Sequence, residues 1–255
     1  TFISFLFTFF SQLFFVSYFL ILFVFFVFFY FLDLFFLLFI FCINDSVHSQ
    51  IIKGKAILGI NLTQVEGDEV SGFKKPGLQI GAGALIPFKK KWDVSMEVLF
   101  SQKGAKEGKQ YIDTIATGEV LTGEYKLRLN YVEVPLLVHF TDKDFITIGA
   151  GFSWGRLVGV KEWEHGNLVT STTVENGPYD KNDFSYVIDL RIKILGPLKF
   201  GFRYQNSMMK IRTREFEDFA GNTWYRDQFN KSLTFKLVYI FNEEQSKSNQ
   251  NAPTP

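Results

Sequence analysis

Few side chains in this sequence are placed where they could do chemistry together. His139 and His165 both follow the strongly apolar beginning of the chain. Around His165, Ser171, Asp180 and Asp183 supply the groups of a Ser/His/Asp hydrolase. Polar loops often hold such residues without using them, so we expect structural roles for both histidines. Neither has a cysteine or a second histidine at ligand spacing, so we expect no catalytic residue, no metal site and no cofactor.

A second group, which combines basic and aromatic side chains, has the potential to bind a partner. Its members are Arg212, Arg214, Phe216, Trp224 and Tyr225. At a membrane surface such basic and aromatic residues would bind either lipopolysaccharide phosphates or a protein partner, for instance one of a secretion machinery. The alternative, which the sequence favours, is a solvated loop whose aromatic residues pack on their neighbours.

A third group consists of charged residues that recur at alternating positions in otherwise strand-like segments. They are Glu97, Glu133, Asp189, Arg191, Arg203 and Lys236. In an apolar core such charges would lack partners, at a high cost in free energy. A barrel of eight strands has a lumen barely wide enough for its own side chains. We therefore expect these six residues to fill such a lumen as pairs of opposite charge.

The elements that would position these charges have the period of two that half-buried strands require. Eight such segments follow residue 50. One face of each segment is bulky and apolar, as Phe200 and Phe202 are, while the other face carries glycine, serine, threonine, asparagine or charge. A soluble ligand-binding barrel would need a polar outside and an apolar inside. We therefore expect the apolar face to contact lipid.

The gaps between the segments alternate between short and long. Short gaps occupy residues 87–91, 141–144 and 195–197, and long ones start near Glu66, Lys103, Lys161 and Met209. Tight turns at one end and long loops at the other are typical of outer membrane barrels. The sequence therefore predicts an all-β fold, an eight-stranded antiparallel up-and-down transmembrane β-barrel in the bacterial outer membrane, with its long loops facing the cell exterior.

The fourth segment tests this interpretation, because its outward phase changes character. Alternate residues from Val132 to Phe140 are apolar over the length that a tilted membrane strand needs. Upstream, Lys126, Arg128 and Asn130 occupy the same phase. Either these polar residues lie beyond the hydrocarbon, or a β-bulge near Asn130 turns them away from it.

Composition divides the chain of 255 residues into an apolar leader (1–49), a barrel (50–241) and a polar C-terminal tail (242–255). The first 42 residues contain one charged side chain, Asp33. We expect a signal peptide cleaved before Gln50, preceded by a spurious extension through T-rich DNA, with a helical membrane anchor as the alternative. The net charge of +1 gives no reason to expect nucleic acid as a partner.

Two segments resemble the PorT-type family of outer membrane β-barrels of Gram-negative bacteria. They are MEVLFSQKGAK, from Met96 to Lys106, and LNYVEVPLLVHF, from Leu129 to Phe140. The resemblance covers about residues 51–241. It implies an eight-stranded barrel with both termini in the periplasm and, for PorT itself, a link to type IX secretion.

Together these patterns favour a non-enzymatic barrel with a structural or interaction role. One role of this kind is that of an accessory to protein secretion. The expected partners are outer membrane lipid and either lipopolysaccharide or a protein of the secretion machinery. A small porin-like channel is the main alternative, although paired charges inside eight strands would plug it. A hydrolase at the outer rim is the third hypothesis.

Overall fold

The computed structural model describes residue 30 and residues 52–68, 70, 72–114, 120–217 and 221–242. The chain divides into two compact units, Thr1–Ser49 and Gln50–Pro255. The predicted leader, apart from residue 30, and the predicted tail, apart from residue 242, lie outside the described residues. Among the residues that are described, no helix is both long enough and apolar enough to cross a membrane.

Thirteen strands follow one another along the described residues. They are β1 (Lys53–Glu66), β2 (Lys75–Lys89), β3 (Trp92–Lys103), β4 (Lys106–Glu107), β5 (Asp113–Thr114), β6 (Val120–Leu121), β7 (Tyr125–Asp142), β8 (Ile146–Glu164), β9 (Asn167–Leu168), β10 (Asn182–Leu195), β11 (Leu198–Ser207), β12 (Arg212–Glu217) and β13 (Thr223–Ile240). Eight of these strands have ten or more residues. The other five are shorter and lie within the long connections.

The eight long strands form a closed ring. Their order is β7, β3, β2, β1, β13, β11, β10 and β8, and pairing between β8 and β7 closes the circle. All pairs in the ring are antiparallel. Closure gives each long strand two neighbours, so the ring has no free edge. The predicted all-β, eight-stranded up-and-down barrel is confirmed.

The two ends of the barrel differ as the gap lengths predict. At one end, called the turn end, β2–β3, β7–β8 and β10–β11 are joined by two or three residues. Lys143 and Asp144 have positive φ angles of 47° and 56°, which suit a tight hairpin between right-twisted strands. At the other end, called the long-loop end, connections follow Glu66, Lys103, Glu164 and Ser207.

Alternation along each strand separates the outward face from the lumen. On β7, Leu136 and Val138 point outward with 55% and 43% exposure, whereas Leu137 and His139 are fully buried. The outward faces of the other long strands carry the same kind of apolar side chain and together form a belt around the barrel. An apolar outside of this kind suits lipid rather than water.

The phase change predicted near Asn130 takes place on the neighbouring strand. Asn130 pairs with Gly159 and Tyr131 pairs with Leu157, so Val158 of β8 has no counterpart and forms the bulge. Alternation along β7 therefore continues unbroken, and Lys126 and Arg128 stay on the outward face, beyond the apolar belt. The first of the two predicted alternatives therefore explains the polar residues on β7, which lie beyond the apolar belt. The bulge exists, but it changes the phase of β8 and not that of β7.

Two stretches predicted as loops are partly strand. The third connection was expected to start near Lys161, but β8 continues to Glu164 because Tyr125 and its neighbours on β7 pair with it. The fourth contains β12, which pairs with the first residues of β13 as a hairpin. Aromatic residues facing each other across this hairpin, Phe216 and Trp224, favour strand pairing over a solvated loop.

Candidate functional site

An ion pair spans the middle of the lumen. Arg203 on β11 reaches Glu97 on β3, which lies half-way around the ring of eight strands. The guanidinium Nη1 and Nη2 donate to the two oxygens of Glu97 at 2.8 and 2.9 Å. Lys55 on β1 donates to the same carboxylate. Because all three side chains are buried, this bidentate pair ties opposite walls together.

Asp189 on β10 extends these ion pairs. Arg203 Nε donates to Asp189 Oδ2 at 2.9 Å, and Lys236 donates to the same oxygen. Arg191 Nε lies 3.4 Å from Asp189 Oδ1. We call this group the central charge network: Lys55, Glu97, Asp189, Arg191, Arg203 and Lys236. Its cations outnumber its carboxylates.

A second group of charges lies nearer the long-loop end. Lys103 Nζ lies 2.6 Å from Glu133 Oε1 and 3.3 Å from Asp183 Oδ2. Gln205 Nε2 donates to Glu133 Oε1 at 2.9 Å. The structure therefore places all six predicted interior charges in the lumen, with Glu133 in this group and the other five in the central charge network.

The interior charges that sequence reasoning missed include Lys55, Lys103 and Asp183. A signal for the two lysines was present in the alternation. Lys55 has the same phase on β1 as the buried Asn61, and Lys103 has the same phase on β3 as Glu97. Both lie close to an end of the apolar stretch, where a charge is easily attributed to a neighbouring loop.

Apolar side chains also fill parts of the lumen, which the sequence predicted to be lined by small and polar residues. Two clusters of buried apolar residues lie inside the barrel. The turn-end apolar cluster contains Ile57, Leu85, Leu99, Val238 and Ile240. The long-loop-end apolar cluster contains Val65, Ala105, Tyr125, Leu127, Leu129, Tyr131, Leu157, Tyr179 and Ile211. The narrow lumen is therefore occupied by charged layers and apolar layers.

A polar cluster lies next to the long-loop-end apolar cluster, and Arg212 is its centre. Arg212 donates to Glu162 Oε1 at 3.0 Å and to the Tyr125 hydroxyl at 2.9 Å. Its guanidinium lies 4.6 Å from the ring centroid of Tyr179. The same carboxylate accepts hydrogen bonds from the Tyr125 hydroxyl at 2.7 Å and from the Thr172 hydroxyl at 3.2 Å, so three residues hold Glu162 in place.

Asp68, in the loop between β1 and β2, lies close to this polar cluster. The preceding carbonyl, of Gly67, accepts a hydrogen bond from Gln228 Nε2 at 3.4 Å. Asp68 Oδ1 accepts from the Val70 amide at 3.0 Å, while Oδ2 has no partner among the described residues. Burial raises the pKa of Asp68 to about 6, although the Val70 hydrogen bond acts to lower it.

The predicted partner-binding residues do not form one surface. Arg212 is only 5% exposed and its donors are engaged inside the barrel, so its assignment to that surface needs correction. Arg214 lies over the Phe216 ring at 5.3 Å, and this ring stacks on Trp224 at 6.0 Å. Tyr225 is 68% exposed. We call Arg214, Phe216, Trp224 and Tyr225 the hairpin arm.

The residues of the hydrolase hypothesis are dispersed. His165 Nδ1 lies 3.2 Å from the backbone amides of Thr122 and Gly123, which donate to it. Asp183 is buried in the lumen, and Ser171 is exposed. His139 lies on another part of the wall, with its Nε2 2.8 Å from a serine hydroxyl. Among the described residues, no three His, Cys, Asp or Glu side chains are grouped as metal ligands.

The sequence from residue 55 to residue 212 matches the protein-family model described as outer membrane protein beta-barrel domain. This match covers more than half of the chain and runs from β1 to the start of β12. The chain belongs to this family. It is an outer membrane β-barrel, and its location is the bacterial outer membrane. The apolar belt of this outer membrane β-barrel therefore contacts lipid.

Several solved structures are similar in fold to this outer membrane β-barrel. Ail, the attachment invasion locus protein of Yersinia pestis, has 14% identity and a TM-score of 0.43, covering 74% of this chain and 98% of its own. Neisserial surface protein A has 9% identity and a TM-score of 0.40, covering 74% and 96%. A major outer membrane protein from Thermus thermophilus has 14% identity and a TM-score of 0.39, covering 74% and 99%. No curated protein matches the sequence.

Proposed function

We propose that the protein is a non-enzymatic outer membrane barrel with a structural or interaction role, whose long connections face the cell exterior. The observation that carries this proposal is the pair between Arg203 and Glu97, which joins opposite walls across the lumen at 2.8 and 2.9 Å. A fixed pair at this level, with apolar clusters in the same lumen, argues against a conducting pore. The dispersed positions of His165, Ser171 and Asp183 argue against a hydrolase.

The orientation is argued from the difference between the two ends. Outer membrane barrels have short turns on the periplasmic side and longer loops outside. On this basis the proposed orientation has the long-loop end outside and the beginning of β1 and the end of β13 on the periplasmic side. The strand pairing of Lys55 with Ile240 supports termini at the turn end.

The hairpin arm is the part of the barrel best suited to a partner. Tyr225 is exposed, and Arg214 and Arg226 lie 5.3 and 6.0 Å from the centroid of the Phe216 ring. Arginine and aromatic side chains are the residue types enriched at protein interfaces. A protein of the secretion machinery is the partner proposed for the arm, because Met96–Lys106 and Leu129–Phe140 resemble the PorT-type family.

The first experiment measures conductance of the purified barrel in planar lipid bilayers. Heat-modifiability on a gel first establishes that the sample is folded. We expect no single-channel steps above the bilayer baseline, because the lumen is bridged and filled. Reproducible steps from folded protein would instead favour the porin-like alternative. Lipid or peptide hydrolysis that disappears in a His165→Ala variant would favour the hydrolase.

Orientation and partner are tested in cells. In a Cys42→Ser background, a membrane-impermeant maleimide should label Tyr225→Cys on intact cells and leave Lys90→Cys, at the turn end, unlabelled until lysis. Photo-crosslinking from position 225, with position 90 as the control, then identifies what the arm contacts. If intact cells are labelled at Lys90→Cys and not at Tyr225→Cys, the turn end faces the exterior and the proposed orientation is wrong. Unchanged secretion in a deletion strain would remove the secretion role.

A further inference from the structure

Cations line the outward face of the barrel wall at the long-loop end. On β7 the outward residues are Lys126 and Arg128, on β4 the outward residue is Lys106, and on β8 they include Arg156 and Lys161. We call this group the cationic stripe: Lys106, Lys126, Arg128, Arg156 and Lys161. It lies on the outside of the wall and shares no residue with the central charge network or with the hairpin arm.

Strand register places cations of the stripe directly opposite one another. Lys106 pairs with Lys126 across β4 and β7, and Arg128 pairs with Lys161 across β7 and β8. Like charges at directly opposed positions destabilise a sheet. Stability alone gives no reason for such an arrangement, so a negatively charged group outside the chain is the natural counterpart.

The cations of the stripe have few partners within the described part of the chain. Lys126 and Arg128 lie 4.7 and 5.7 Å from the centroid of the Trp163 ring, and none of the five forms an ion pair with a described residue. Arg156 donates to the amide oxygen of Asn182 at 3.0 Å. Three of the neighbouring acids are engaged with other cations. Their pairs are Glu107 with Lys74, Glu162 with Arg212 and Glu164 with Arg214.

The stripe begins where the lipid-facing belt ends. The outward face of β7 runs from Val138 through Leu136, Val134 and Val132 to Asn130, and Arg128 is the next residue on that face. Two residues of strand span about 7 Å, which is close to the thickness of one headgroup layer, about 5–8 Å. Trp163 also lies at this level, as tryptophan does at membrane interfaces. Lys126, Arg128 and Lys161 therefore lie at headgroup depth, whereas Arg156, which pairs with Val132, lies at the upper edge of the belt.

We propose that the cationic stripe binds the phosphate groups of a phosphorylated lipid in the leaflet at the long-loop end. Lysine ammonium and arginine guanidinium groups are strong donors to phosphate oxygens. The belt directly below the stripe contacts the acyl chains of the same lipid, so one molecule satisfies both surfaces. The inference rests on the proposed function for one point only, namely which leaflet holds the lipid. If the long-loop end faces the exterior, it is the outer leaflet.

The test measures binding of the folded, full-length protein in detergent to diphosphorylated lipid A and to the same lipid after enzymatic dephosphorylation. A triple variant, Lys126→Gln, Arg128→Gln and Lys161→Gln, removes three charges from the centre of the stripe. A matched control removes three exposed charges at the turn end: Lys89→Gln, Lys90→Gln and Lys143→Gln. Heat-modifiability verifies that each variant is folded.

We expect the wild-type protein to bind the phosphorylated lipid at least about tenfold more tightly than the dephosphorylated one. Each basic residue near an anionic headgroup contributes about tenfold or less, so the triple variant should weaken binding on the order of a hundredfold. The turn-end control should change it less than about threefold. If the triple variant does not fold, the single variant Lys161→Gln, which changes an exposed side chain, should still weaken binding several-fold.

Three results would overturn the inference: equal binding of the two lipids, unchanged binding in the triple variant, or equal losses in both triple variants. Competition by inorganic phosphate at micromolar concentration would assign the site to a free anion, which also overturns it. A barrel that conducts but retains phosphate-dependent lipid binding would overturn only the proposed function. A barrel that does not conduct and binds both lipids equally would overturn only this inference.

Discussion

The guanidinium of Arg203 and the carboxylate of Glu97 meet across the full width of the barrel. They are 106 residues apart in the chain and lie on strands at opposite positions of the ring. Neither strand pairs with the other, so only closure of the ring brings the two side chains together. A second contact of the same kind joins Asn230 to the Tyr131 hydroxyl at 3.3 Å, nearer the long-loop end. Side chains thus support closure at two levels.

Removing the charge of Glu97 should destabilise the barrel strongly. Glu97→Gln leaves Arg203 and Lys55 buried without their shared carboxylate, and breaking a buried ion pair costs about 3–5 kcal/mol. The measurement is the free energy of unfolding from urea titrations in lipid vesicles. The control, Lys91→Gln, breaks an exposed pair with Asp142 of 3.0 Å and should cost about 1 kcal/mol or less. Equal effects of the two variants would contradict a bridging role.

A methyl group at position 149 should conflict with the imidazole of His139. A Cβ on Gly149 would lie 2.0 Å from His139 Nδ1 and 2.6 Å from its Cε1. Gly149→Ala should therefore lower the free energy of unfolding by about 1–3 kcal/mol. The double variant with His139→Ala should recover part of this loss, because the clashing ring is gone. Gly108→Ala, which has no atom within 4 Å of its Cβ, is the control. Strictly additive losses in the double variant would refute this packing contact.

The loop between β1 and β2 should lose stability as pH rises through about 6. The pKa of Asp68 is raised by burial from 3.8 to about 6, so the folded loop holds a proton more tightly than the unfolded loop does. Its stability is fully present below pH 4 and falls by at most about 3 kcal/mol on deprotonation. The observable is the hydrogen-exchange protection factor of the Val70 amide. In Asp68→Asn this pH dependence should disappear. A protection factor that rises with pH would contradict the predicted loss of loop stability.

Deleting Val158 should leave the faces of the last part of β8 unchanged, because this residue is extra relative to β7. Without it, Lys161 still lies opposite Arg128. Glu162 therefore stays inward and keeps its contact with Arg212. We expect the deletion variant to keep its heat-modifiability and to resist trypsin at Arg212, which is buried in the wild-type protein.

The control deletes Asn130 from β7, whose residues alternate without a bulge. This deletion should turn Tyr125 outward, away from Arg212, and should allow trypsin to cut after Arg212. Cleavage of the Val158 deletion variant at the same site would argue against the bulge.

The architecture could be predicted because its signals are local in the sequence. Apolar residues at every second position mark strands and the face that meets lipid, and gap lengths separate the turn end from the long-loop end. Glu97, Asp189 and Arg203 were predicted to lie inside the barrel for the same reason, since side-chain direction in a strand depends only on phase. For that prediction no partner had to be identified.

What only the tertiary structure decided is which side chains meet inside the ring. Partner choice depends on strand order, closure and register. Alternation in one segment therefore did not indicate that Arg203 contacts Glu97, or that Arg212 turns inward to Glu162 instead of serving the surface. The position of the bulge also depends on the facing strand, because Val158 is extra only relative to β7. The cationic stripe follows from the same cause: phase alone places Lys126 and Arg128 outside, and register sets Lys106 and Lys161 opposite them.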